Sequence, residues 1–131
     1  MLTLTLNTTR RTEFLDITQE VERALPRPGM EDGLVFIYVP HTTAGVTINE
    51  GADPSVAEDI LGALNRLIPL QGDYRHLEGN SAAHIKAGLL GSSVLVAVEK
   101  GRLVLGTWQA IFFCEFDGPR TRKVLLKTVG A

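Results

Sequence analysis

At 131 residues the chain is the size of one domain, long enough to bury a core without disulfides or metals to staple it. A composition of 44% hydrophobic and 21% charged residues excludes a disordered tail, and a net charge of −2 supplies no overall basic field for nucleic acid or anionic lipid. The single cysteine, Cys114, excludes an intramolecular disulfide framework.

Leu2, Leu4 and Leu6 alternate with polar residues, the period of a half-buried strand. No basic start followed by an apolar stretch is present, and no apolar run approaches the roughly 18 residues that span a bilayer, so a cytoplasmic protein is expected. Asp16-Ile17-Thr18-Gln19 reads as a capping box, with Ile17, Val21, Ala24 and Leu25 at helical spacing until Pro26. Leu34 to Val39 is a continuous apolar run, expected as a central strand covered on both faces. Gly45 to Asn49 reads as the next strand of the same hairpin or meander. A second helix opens with Asp53 as cap and Pro54 at its first position. Val56, Ile60, Ala63, Leu64, Leu67 and Ile68 form its expected buried stripe, and Pro69 closes it.

Residues 72–79 have no clear period and read as a loop. Asn80 is the expected cap of a third helix through Leu90, with Gly91 past its end. The remainder reads as β: Val94 to Val98, a turn at Glu99-Lys100-Gly101, Leu103 to Leu105, Trp108 to Phe116 and Val124 to Val129, with Gly118-Pro119 marking the last turn. Five to seven strands with three helices, and no repeat or linker, imply a single α+β domain over residues 1–131.

Chemistry gathers in three stretches. His41 follows the apolar strand in Pro40-His41-Thr42-Thr43-Ala44-Gly45, where Thr42 and Thr43 offer hydroxyls and Gly45 permits close backbone approach. The alternative there is a loop whose threonines satisfy local backbone groups. Asp73-Tyr74-Arg75-His76 and Glu78-Gly79-Asn80-Ser81-Ala82-Ala83-His84 put titratable residues just before a helix start, whose free N–H groups suit a phosphate. Gly79, Asn80 and Ser81 are the candidate cradle, with Arg75 or Lys86 adding charge; a well-capped helix behind a solvated loop is the competing reading. Three histidines, His41, His76 and His84, would form a divalent metal site if they converge, zinc or magnesium being the candidates, although no HExxH or paired CxxC pattern occurs. Each taken alone suits a hydrogen-bonded structural role. Asp53 is assigned to capping, while Glu50 and Glu78 are the candidates for proton transfer.

On the long strand Trp108, Ala110, Phe112, Cys114 and Phe116 share one parity, and Gln109, Ile111, Phe113, Glu115 and Asp117 the other. Cys114 therefore falls on an apolar face as a core residue rather than a nucleophile. Gln109, Glu115 and Asp117 suit an interface or the wall of a site, and Arg120 and Arg122 can pair with those carboxylates or stay solvated.

These segments resemble the YjbQ-like family, whose members have been called secondary thiamine-phosphate synthases. The resemblance rests on His41 through Glu50, Asp73 through His76, Glu78 through Lys86, Gly101 through Leu103, Leu105 through Gln109 and Phe113 through Arg120, all in the family's order. Gly51 departs from it, since the family more often has Asn in an NEN-like run. The resemblance implies an α+β fold with a twisted, mainly antiparallel sheet or sandwich, assembled as a homotrimer. It also implies a pocket near the subunit boundary carrying the histidines and a divalent ion. The family's named activity, a weak one, joins a pyrimidine diphosphate to a thiazole phosphate and releases pyrophosphate. The expected function is thus an enzyme on a small phosphorylated metabolite, with Thr42, Thr43, Arg75, Gly79, Asn80, Ser81, Lys86 and Gln109 as binding residues. The alternatives are a metal-dependent hydrolase and a non-enzymatic trimer that binds a phosphorylated ligand. No nucleic-acid or membrane partner is expected.

Overall fold

The computed structural model describes residues 1–26 and 28–130. Its elements run β1 (Leu2–Asn7), β2 (Glu13–Asp16), α1 (Thr18–Ala24), β3 (Gly33–Tyr38), β4 (Ala44–Glu50), α2 (Pro54–Leu67), α3 (Ser81–Leu90), β5 (Ser93–Glu99), β6 (Arg102–Leu103), β7 (Gln109–Glu115) and β8 (Thr121–Gly130). One sheet has the order β1-β8-β3-β5-β6 and the other β2-β7-β4, and every pairing is antiparallel. Three helices on mainly antiparallel sheets make this an α+β fold.

The core lies between the two sheets. Val35, Ile37, Val96, Val98, Val124 and Leu126 of the larger sheet meet Val46, Ile111 and Phe113 of the smaller, and α1 closes one end with Val21. The capping box expected over Asp16 to Gln19 does not form: Ile17 holds the N-cap position without a side-chain hydrogen bond, and Asp16, one residue earlier, accepts from the Thr18 N–H at 2.9 Å and the Thr18 hydroxyl at 2.6 Å. A second apolar layer covers the other face of the small sheet. There Ala110, Phe112, Cys114 and Phe116 pack on Ala83 and Ala87 of α3, with Leu61 and Leu64 of α2 against them. The strand parity read for β7 is therefore obeyed, residue by residue, by two different cores.

Three expectations need correction. The strand covered on both faces is β7, in which residues 110–115 are all buried, and not β3. In β3 only the alternate residues Val35 and Ile37 are buried, while Leu34, Phe36 and Tyr38 face outward. A continuous apolar run cannot distinguish these cases, because it carries no alternation that marks a wet face. β4 is not the partner of β3 but lies in the other sheet, paired with β7 from Ala44↔Glu115 to Glu50↔Gln109. The apolar stripe of α2 is only half covered, and Leu67 is exposed. β2 went unread because four residues are too few to establish a period.

Gly45 does permit a close approach, though of protein rather than ligand. A Cβ there would sit 2.6 Å from the Gly91 carbonyl, where α3 ends against β4. That contact, with Val46 N–H donating to the same carbonyl at 3.1 Å, fixes α3 beside the end of the small sheet.

Candidate functional site

Beyond its last residue β3 continues through Val39 and Pro40 to His41, and β4 begins three residues later. The intervening loop is pinned from below. Arg122 of β8 donates to the Thr43 hydroxyl at 2.8 Å and the Thr43 carbonyl at 3.3 Å, and Phe116 N–H donates to that carbonyl at 3.2 Å. Arg122 is in turn held by Glu115 of β7 through two parallel bonds, Nε to Oε1 at 2.9 Å and Nη2 to Oε2 at 2.5 Å. Thr8 donates to Glu115 Oε1 at 2.8 Å and completes a fully buried polar group. Desolvation pushes the Glu115 carboxyl up, but the hydrogen bonds from Arg122, Asp117 N–H and Thr8 outweigh it and hold the group below its ordinary range.

Above this floor lies a cavity of about 470 Å³ lined by His41, Thr42, Thr43, His76, Glu78, Asn80, His84, Asp117, Arg120 and Arg122. All three histidines therefore border one space. The rings of His76 and His84 stand edge to face, 5.4 Å apart. Glu78 Oε2 is 3.9 Å from His76 Nε2. His41 Nε2 accepts the Lys123 N–H at 2.9 Å, so its neutral ring carries the proton on Nδ1 and offers a donor, not a lone pair. Burial and then the nearby Arg122 charge keep the His41 pKa below its ordinary value of 6.5.

Asn80 precedes α3 as read, but its side chain does not cap the helix. Its amide nitrogen donates to Asp117 Oδ2 at 2.9 Å, and its Oδ1, buried at the cavity wall, has no partner. A buried acceptor without a donor is costly unless water or a ligand supplies one. Asp117 also takes Arg120 Nη2 at 3.1 Å, so each arginine of the cavity has its own carboxylate.

The remaining expected residues are distributed otherwise. Arg75 and Ser81 line an adjoining cavity that shares His76 and His84. Gly79 stands in the turn before α3, with open space where a side chain would be. Glu50 is not in the histidine cavity. It borders a separate cleft with Glu13, Asp16 and Glu58, since β4 carries it to the opposite end of the strand from His41. There Gly51 is a necessity of packing, because a Cβ would lie 2.4 Å from that of Ala110. Gln109 uses its Oε1 to accept from Gly106 N–H at 2.7 Å, closing a local turn. Lys86 projects from α3 away from the histidines into a third cavity. Asp53 caps α2 by accepting from Ser55 N–H at 3.0 Å.

The expected three-histidine metal centre does not fit this arrangement. Among the described residues no three His, Cys, Asp or Glu side chains converge on a point where an ion could sit. His41 cannot lend Nε2 while it holds the Lys123 N–H. Asp117 lines the site, one of the two readings its strand parity allowed, and Arg120 and Arg122 pair with carboxylates as expected, but neither arginine was read as lining the cavity. Their signal was present in the shared parity of the two arginines and in the turn that follows β7.

Comparison with known proteins agrees with this architecture. A family model described as UPF0047 protein YjbQ-like matches residues 2–131. The chain belongs to this YjbQ-like family. It is 54% identical over 129 residues to the UPF0047 protein YugU of Bacillus subtilis, covering 98% of each chain. Against the UPF0047 protein YjbQ of Escherichia coli O157:H7 it is 36% identical, covering 86% of this chain and 84% of that one. A crystal structure of an uncharacterised YjbQ/UPF0047 protein from Clostridium acetobutylicum superposes with a TM-score of 0.96 at 52% identity, over 98% of this chain and 100% of that one. A YbjQ-like protein of unknown function from Sulfolobus solfataricus gives 0.93 at 34% identity, over 98% and 95%. In this chain the fold places the strand-end His41 and the residues at the start of α3 around one cavity. No helix among the described residues is long and apolar enough to cross a membrane.

Proposed function

We propose that the histidine cavity binds a small phosphorylated metabolite and that the chain is an enzyme acting on it. The observation that carries this reading is the convergence of His41, His76, His84, Asn80, Arg120 and Arg122 on one space beside the start of α3. Arginines, an imidazole donor and a helix N-terminus all favour phosphate oxygens. The unpartnered Asn80 Oδ1 adds an acceptor, which suits a ligand carrying an amino or hydroxyl donor besides its phosphate.

The finer reading is a transfer that expels pyrophosphate, of which joining a pyrimidine diphosphate to a thiazole phosphate is the named example. The thiazole nitrogen forms a bond to the pyrimidine methylene carbon as that carbon's bond to oxygen breaks, and pyrophosphate leaves with the electron pair. Arg120 stabilises the departing charge, His41 donates from Nδ1, and His76 or His84 protonates the leaving oxygen with Glu78 beside it. No step needs an ion or Glu50.

The apolar outer face of β3 supports assembly as a homotrimer. Phe36 and Tyr38 stack 6.0 Å apart on that face, with Leu34, Leu95 and Val129 beside them, and such a patch on a small domain calls for a second copy of the chain. Because β3 leads straight to His41, a neighbouring copy would stand next to the cavity.

The test is thermal stabilisation and product analysis with pyrophosphate, a panel of phosphate monoesters and the pyrimidine and thiazole pair, on wild type, His84→Ala and Arg120→Ala. Stabilisation lost in Arg120→Ala, with product lost in His84→Ala, is the expected result. Stabilisation without product would leave a binding protein, release of free phosphate without an acceptor would leave a hydrolase, and no response to any phosphate would overturn the reading.

A further inference from the structure

On the other side of α3 from the histidines, Lys86 is only 4% exposed. A buried ammonium ordinarily has an anion beside it, because desolvating the charge costs several kcal/mol. Lys86 has none. Its one hydrogen bond goes to a neutral acceptor, Asn65 Oδ1 of α2, at 2.7 Å, and it makes no ion pair among the described residues. Burial alone lowers its pKa, with no compensating charge. The arginines of the histidine cavity, each matched to a carboxylate, are a direct contrast.

Lys86 borders a cavity of about 230 Å³ whose other polar lining residues are Arg11, Thr12 and Asn65. The hydrogen bonds among them fix what they can offer. Asn65 spends its oxygen on Lys86 and donates its nitrogen to Thr12 Oγ1 at 3.2 Å. Thr12 is thereby an acceptor in that bond and keeps its own O–H to donate. Lys86 retains two N–H donors, and Arg11, which approaches Asp117 no closer than 3.7 Å, adds a guanidinium at the mouth. No carboxylate lines the cavity, while Leu70, Pro69 and Phe116 supply an apolar wall.

We propose that this cavity is a second ligand site, separate from the histidine cavity, that takes an oxyanion, carboxylate or phosphate, on a short apolar stem. The oxyanion lies against Lys86, Thr12 and Arg11, and the stem lies on Leu70 and Phe116. The volume, about 230 Å³, limits the occupant to about ten heavy atoms. The two sites share no lining residue, so this proposal stands or falls independently of the function proposed for the histidine cavity.

The experiment follows the side-chain NMR signals of the four lysines in the intact protein while inorganic phosphate or isobutyrate is added. The expected result is a saturable shift of the Lys86 signal, with Lys100, Lys123 and Lys127, all exposed, drifting only with ionic strength. Response to phosphate alone assigns a phosphate ligand, and response to isobutyrate assigns a carboxylate with an apolar stem. Made in the Arg120→Ala protein, where the histidine cavity no longer responds to phosphate, Lys86→Met keeps the stem, removes the buried charge and should abolish the rise in melting temperature that the same anion gives Arg120→Ala alone. Arg120→Ala should keep the Lys86 response, because that arginine belongs to the other cavity. A Lys86 signal unmoved by either anion, or a full anion response surviving when Lys86→Met is added to Arg120→Ala, would overturn the proposal.

Discussion

Glu115 and Arg122, facing each other from consecutive strands, form a two-bond ion pair with 0% and 3% of their side chains exposed. The pair is sealed beneath the histidine cavity, and its third attachment, to Thr43, fixes the loop that carries His41. Removing one member leaves the other charge buried without a partner, at a cost of about 3–5 kcal/mol. Glu115→Ala should therefore lower the melting temperature by about 10 °C or more, whereas a Glu115→Leu, Arg122→Met double variant recovers most of the loss. Chemical denaturation of wild type, Glu115→Leu, Arg122→Met and the double variant measures the coupling, and a purely additive double variant would contradict it.

The acid limb of stability should carry the mark of His41. Its pKa is lowered in the folded protein, so the unfolded chain binds the proton first as pH falls below 6.5. Stability is then full above 6.5 and declines with falling pH down to the lower folded value. The carboxyl of Glu115, also held low, adds its own loss only below its ordinary 4.5. Melting curves between about pH 7 and 5 should fall less steeply for His41→Gln than for wild type. Parallel slopes would remove His41 from the account.

Assembly through the outer face of β3 predicts that a charge placed there breaks it. Phe36→Lys or Leu95→Lys should elute at monomer size while keeping the far-ultraviolet circular dichroism of the fold, since both side chains project away from the core. Elution unchanged for both variants would mean another surface holds the copies together.

Cys114 should be inert. It is fully buried between β7 and α3, and desolvation pushes its thiol far above the ordinary range. A thiol reagent should react with it at the rate of unfolding, and Cys114→Ala should retain ligand binding. Rapid labelling of the native protein would show an opening that this packing does not provide.

The sequence showed what periodicity can show. The parity of β7 separated its two faces and put Cys114 in the core, the Asp53-Pro54 start of α2 was visible from capping chemistry, and the family motifs named all three histidines of one cavity. What failed shares one cause, since direction off an element depends on tertiary register. Lys86 lies two residues from His84, yet helical geometry carries it toward α2 and out of the histidine cavity. Glu50 sits in the same motif as His41, but the length of β4 carries it to another cleft. The outward apolar residues of β3 look like core because a continuous apolar run carries no alternation to mark the exposed face.

The two walls of the histidine cavity are fastened very differently. Thr43 is tied through its hydroxyl and carbonyl to Arg122 of β8 and through its carbonyl to Phe116 just past β7, whereas the wall bearing His76 and Glu78 belongs to an exposed segment with no strand partner. On the function proposed above, opening would be one-sided, and the residence time of the ligand would be set by excursions of residues 72–79. Amide hydrogens there should exchange orders of magnitude faster than those of Thr43 through Val46, and a ligand that spans both walls will slow the first group while leaving the second unchanged.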